Sequence, residues 1–259
     1  MSARGSRVEP ASLKSIRLKL SRGNRQLQAL ERSIDTYWER NPMQVIGEFN
    51  PNFTQHTSRL SIHEHPPLDW SVRLGEAIHN LRSALDHTVS QLALHHLGYH
   101  VDSASFPIFS DPRKFQAEGR LQLRDVSDHA RSVIESLQPF KASSPRAPVL
   151  WYINQIWKRD QNREIRLQPA IAHDIYTLTV DPPDPNPRVT IVEGLKEDGA
   201  MLATVDFGKP MPEMRVVLEP ALYIANEFSW LLDPDMTTAH RRVIHETTEI
   251  IERLLALID

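Results

Sequence analysis

The stretch Gly75-Glu-Ala-Ile-His-Asn-Leu-Arg-Ser-Ala-Leu-Asp-His87 decides how this chain is read. Its apolar residues Ala77, Ile78, Leu81 and Leu85 extend a series that begins at Leu74 and continues to Val89 and Leu92. That spacing is the buried face of an α-helix. On the opposite side stand Glu76, Asn80, Ser83 and His87, flanked by His79, Asp86 and Ser90. A solvated helix face is usually rich in long lysine, glutamate and arginine side chains. This one carries short, hydrogen-bonding and titratable groups instead. Such a stripe is a functional site, a polar seam against another helix, a dimer interface, or plain surface.

The helix is predicted from about Leu68 to Leu97, with Pro66-Pro67 before it and Gly98 as its stop. Upstream, Leu13, Ile16, Leu20, Leu27, Leu30, Ile34 and Trp38 predict a long amphipathic helix, weakened near Gly23-Asn24 and ended before Asn41-Pro42. Between the two helices, residues 44–49 and 54–63 are β candidates joined by Asn50-Pro51-Asn52, which predicts a hairpin.

Downstream, Phe106-Pro107-Ile108-Phe109 reads as an extended apolar plug. Ser127 to Leu137 reads as a helix, and Pro148 opens another through Trp151, Ile153, Ile156 and Trp157. After Pro169 the chain turns β-rich at 175–180, 188–192, 201–207 and 214–218, which predicts a small antiparallel sheet. The proline-rich run 181–187 is a loop, and 221–232 is open between strand and helix. A last helix spans Met236 to Ile258.

The fold class expected is therefore α+β: a helical bundle core with an N-terminal β-hairpin insertion and a small sheet before the C-terminal helix. The organisation expected is a core over 1–169, a β region over 170–220 and a closing segment over 221–259, together one domain.

Composition excludes several function classes. The 259 residues contain no cysteine, which removes disulfides, thiolate metal sites and cysteine nucleophiles. The net charge of −3 makes no global case for nucleic acid or membrane binding. No apolar run has the length of a membrane span, and no secretory signal is evident. The expectation is a cytoplasmic protein with no membrane partner. The basic residues Arg4, Arg7, Lys14, Arg17, Lys19, Arg22 and Arg25 are read as a solvated helix face, in preference to a transit peptide. No Gly-x-Gly-x-x-Gly, Walker or Gly-x-Ser-x-Gly pattern occurs, so no nucleotide cofactor is expected.

Within the helix, Arg82-Ser-Ala-Leu-Asp-His87 resembles the signature of the HEPN superfamily, whose members are α-helical and often ribonucleases. The resemblance implies that His87 is general acid or base toward a 2′-hydroxyl and that Arg82 stabilises the phosphorane charge. It implies RNA as substrate, no metal, no cofactor, and a cleft formed where two copies of the helix meet in a homodimer. On one helix the two residues point about 140° apart, so a single copy places them poorly.

The longer string from Gly75 to His87 is similar to a family of bacterial proteins of unassigned activity. These pair such a helix with a Phe-Pro-Ile segment and an Asp-Lys-His-Arg motif. The counterparts here are Phe106 to Ile108 and Asp160-Gln-Asn-Arg163, where Gln161 and Asn162 replace the usual lysine and histidine. Glu76, His79, Asn80, Asp86, Asp160 and Arg163 are then expected to position the pair.

The rival expectation is a non-catalytic binding or scaffold protein in which Asp86, His87 and Arg163 form a buried polar seam. Other constellations weigh less. Glu76-x-x-His79 is half of a di-iron pattern without a second half. His63-Glu-His65 has metal-ligand spacing but lies at a hairpin end. His95-His96 is explained by the helix C-terminus. Trp151, Tyr152 and Trp157 beside Lys158-Arg159 could stack bases, but core packing is the simpler account.

Overall fold

A computed structural model describes residues 11–101, 104–143, 148–181, 187–228 and 236–258, without the side chains of residues 11 and 172–175. The proline run at 182–186, the second part of 221–232, and Arg4 and Arg7 lie outside the described residues. The protein is α+β, as its periodicities predict. No helix among the described residues is long and apolar enough to cross a membrane.

The chain divides into two compact units. One gathers Met1–Leu30, Val72–Ile165 and His240–Asp259, and the other Glu31–Ser71 and Arg166–Ala239.

The first unit is helical. It holds most of α1 (Ala11–Glu39) and α2 (Asp69–Leu97), and then a broken helical stretch. That stretch runs through α3 (Pro112–Lys114), a π-helical turn (Phe115–Gly119) and α4 (Arg120–Gln122). It is followed by α5 (Asp128–Ser136), a 3-10 turn (Pro139–Lys141), α6 (Val149–Asp160) and most of α7 (Met236–Leu255). The apolar face read from the sequence is the buried one: Leu74, Ala77, Ile78, Leu81, Leu85, Val89 and Leu92 all lie in the core.

Gly23 does not weaken α1, which runs unbroken through it. A Cβ at this position would come within 2.9 Å of Leu81 Cδ2 and 3.2 Å of the Ala77 carbonyl oxygen. The glycine lets α1 and α2 approach closely, and that packing outweighs its poor helix propensity of ~1 kcal/mol. Ser127 caps α5 by accepting the Ala130 N–H, as expected for a serine at that place.

The second unit carries two antiparallel sheets rather than one. The hairpin β1 (Met43–Phe49) and β2 (Gln55–Ile62) continues into β6 (Met201–Asp206) and β4 (Arg188–Ile191), in the order β1-β2-β6-β4. The other sheet is β5-β3-β7, from β5 (Gly194–Leu195), β3 (Gln168–Asp181) and β7 (Arg215–Ala225). The hairpin turn is built on Asn50, whose Oδ1 accepts the N–H groups of Thr54 and Gln55. β3 begins well before Ile175, and its register against β7 shifts between Ile171 and Tyr176. That irregularity hides its first half from period-two reading. The described part of 221–232 continues β7 as strand to Ala225. Val205, Phe207 and Met214 centre a cluster joined by Phe49, Leu178 and Val189 from both sheets.

Candidate functional site

The polar stripe of α2 separates into three environments, all within the helical unit. Near its start, Glu76 and Asn80 meet α1 at one residue: Gln26 Nε2 donates to Glu76 Oε2 at 2.8 Å and Gln26 Oε1 accepts from Asn80 Nδ2 at 2.8 Å. Asp160, the last residue of α6, lies against Gly75, where its carboxylate fills the place a Cβ would take. Burial pushes the Asp160 carboxyl upward, Glu76 adds to this, and His79 opposes it. Glu76, His79 and Asp160 are therefore neighbours, and all three are exposed. Among the described residues no group of three or more histidines and carboxylates is set to hold a metal ion. His63 and His65 are exposed.

The second environment belongs to His87. It is exposed, and its pKa is lowered by partial desolvation and then by Lys19 of α1, with Asp86 opposing. Arg163 is also exposed. The expected buried seam of Asp86, His87 and Arg163 is thus not what the tertiary structure assembles.

The buried seam is made by Arg82 and Asp86 with a backbone segment. Arg82 is 9% exposed, and its Nη2 donates to the Phe106 carbonyl at 2.6 Å and lies 3.2 Å from Asp86 Oδ1. Asp86 Oδ1 also accepts the Phe106 N–H at 2.8 Å. The guanidinium carbon sits 5.4 Å from the centre of the Trp157 ring. Burial lowers the Arg82 pKa, and Asp86 works against that shift. Nε and Nη1 of Arg82 are shut from solvent without a hydrogen-bond partner among the described residues.

Residues 106–109 are thereby strapped across the helices through their main chain. Gln138, 2% exposed, completes the strap: its Nε2 donates to the Pro107 carbonyl at 2.8 Å, and its Oε1 accepts the Phe109 N–H at 3.0 Å. The sequence identified this segment as an apolar plug. It did not show that side-chain amides and charges stand in for strand partners.

Between strap, α6 and the π-helical turn lies a cavity of about 600 Å³. Arg82, Asp86, Asn154, Trp157, Lys158 and Lys114 are among its walls. Asn154 is buried to the same degree as Arg82, and its amide makes no hydrogen bond among the described residues. Asn154, Trp157 and Lys158 share one face of α6, three and four residues apart. That face was legible as a helical pattern, but nothing in it marked Asn154. The π-helical turn presents Glu118 to the same cavity. Single π turns are frequent at functional sites.

Of the residues expected from the sequence, the structure brings Arg82 and Asp86 together at this cavity, and Glu76, His79 and Asp160 together elsewhere. His87 joins neither group. No family model, curated protein or solved structure matches this chain.

Proposed function

We propose that this chain is a binding protein that takes a small polar ligand into the cavity beside Arg82. One observation carries the reading: Asn154, 9% exposed and with no side-chain hydrogen bond among the described residues, lines a cavity of about 600 Å³ beside the buried Arg82 guanidinium. An unsatisfied buried donor costs about 1–3 kcal/mol, more when charged. Native proteins keep such a group where water, a ligand or a function compensates it. The volume lies in the range of small-molecule sites.

The test is thermal melting and calorimetric titration with neutral and anionic small compounds, on the parent and on Asn154→Leu. A bound ligand raises the melting temperature of the parent in proportion to ln(1 + [L]/Kd), and the variant loses that response. A parent that answers no compound, or a variant that answers equally, overturns the reading.

A second reading is the HEPN-like, metal-independent ribonuclease acting in defence or RNA turnover. It is favoured by the exposed His87, whose lowered pKa keeps the imidazole neutral and able to accept a proton. Arg82 is turned into its own cavity, so both residues reach one phosphodiester only if a second copy meets the His87 face. Sedimentation together with cleavage of single-stranded RNA by the parent, Arg82→Ala and His87→Ala tests this. A monomeric parent, or cleavage undiminished in His87→Ala, refutes it. A cytoplasmic location is part of the proposal, and the absence of cysteine is compatible with it.

A further inference from the structure

We infer that β1 is a homodimer interface, to which a second copy of this chain adds its own β1 antiparallel; the inference is independent of the Arg82 cavity. β1 is an edge of the sheet β1-β2-β6-β4 and pairs with β2 along its whole length without a register shift. The Asn50 N–H donates to the Gln55 carbonyl at 2.9 Å, and the His63 N–H to the Pro42 carbonyl at 2.8 Å. Hydrogen-bonded pairs alternate along an antiparallel ladder, so the even-numbered residues of β1 direct their main-chain groups at β2. Those of Met43, Val45, Gly47 and Phe49 point the other way, and they have no hydrogen-bond partner among the described residues. Natural sheets blunt such an edge with shortness, proline, bulges or lysine. The other edges here do so: β5 has two residues, β4 has four and follows Pro187, and β7 contains Pro220. β1 has seven residues with no proline, lysine or bulge, and in its middle Ile46 is 49% exposed beside an exposed Gly47.

The sequence of the strand is complementary to itself, which commits the edge to a second copy. The outward groups belong to odd-numbered residues, so a two-fold pairing must set odd against odd. Centred on Ile46, it uses the whole strand: Met43 meets Phe49 of the second copy, and Val45 meets Gly47. A centre at Val45 or Gly47 instead runs the strand against Asn41 or Pro51, outside β1. Four hydrogen-bonded pairs form about eight main-chain hydrogen bonds, near the number in a typical interface. Ile46 then faces Ile46 in a non-hydrogen-bonded pair, where side chains come closest, and each covers the other's exposed surface. On the same face Gln44 comes opposite Glu48, both exposed, so an amide N–H donates to a carboxylate at each end and like charges never meet. Such a contact is isologous and closes at two copies.

The experiment is sedimentation over a dilution series of the parent, Ile46→Lys, Gln44→Lys and Gln44→Glu, with hydrogen exchange of the parent read residue by residue. The parent is expected in monomer–dimer equilibrium. Ile46→Lys sets two ammonium groups against each other on the axis and weakens the dimer about a hundredfold or more. Both substituted side chains are exposed, so the variants fold, and an unchanged melting temperature at high dilution checks this. Gln44→Lys faces Glu48 of the second copy and tightens the dimer, while Gln44→Glu weakens it, each by about fivefold. On concentrating the parent, the amides of Met43, Val45, Gly47 and Phe49 gain protection, whereas those of Gln44, Ile46 and Glu48 are already protected by β2. A parent that stays monomeric overturns the inference and leaves the edge to a different chain. A dimer indifferent to Ile46→Lys is formed through another face, such as that of His87, and overturns it equally. Gln44→Lys and Gln44→Glu shifting the equilibrium in the same direction overturns the pairing centred on Ile46.

Discussion

Arg82 and Asp86, one helical turn apart on α2, hold opposite ends of the same residue: Arg82 donates to the Phe106 carbonyl and Asp86 accepts the Phe106 N–H. They also lie 3.2 Å from each other, so the ion pair and the two main-chain bonds form one unit. Groups that share partners in this way are coupled, and their deletions are not additive.

Asp86→Ala is therefore expected to cost about 2–4 kcal/mol, because it strands the buried guanidinium as well as the Phe106 N–H. Arg82→Ala adds less in the Asp86→Ala background than alone. Urea unfolding of the two single variants and the double variant measures this, and simple additivity would show that the pair is not a unit.

Gln138→Leu keeps most of the side-chain volume but orphans the Pro107 carbonyl and the Phe109 N–H. Each stranded buried group costs about 1–3 kcal/mol, so the loss should exceed that of a surface glutamine severalfold. Hydrogen exchange should show the Phe109 amide losing protection first. Unchanged protection there would mean that the strap is held by its apolar side chains.

Gly23→Ala sets the helix-propensity gain of ~1 kcal/mol against overpacking that typically costs about 1–3 kcal/mol. The near contacts are the Leu81 side chain and the rigid Ala77 carbonyl, so net destabilisation is expected. A raised melting temperature would show that α1 and α2 separate more easily than their packing indicates.

His56, 4% exposed in β2, packs its ring over Gly47 and edge-on to Phe49 at 5.0 Å. Burial lowers its pKa below 6.5, with Glu48 opposing. The unfolded chain therefore takes up this proton at higher pH than the folded one, and the stability this histidine contributes is present above about pH 6.5. It declines as pH falls from there toward the folded pKa. Unfolding measured between pH 7.5 and 5 should show the decline, and His56→Gln should flatten it. An equal slope in the variant would assign the dependence to other groups.

The sequence by itself determined the α+β class, both long helices, the hairpin and the buried face of α2. Each depends on local periodicity or on a turn residue, which any window of the chain displays. It also singled out Arg82, Asp86 and the Phe106 segment as notable, without joining them. Tertiary structure decided that Arg82 turns inward while His87 stays exposed, because strap and α6 cover one side of the helix and not the other. It decided too that Asn154 and Trp157, spaced like core residues, face the cavity of Arg82. Periodicity records which side of a helix is apolar. Which polar residue becomes buried depends on the element that crosses it, and that element lies 20 or more residues away in the chain.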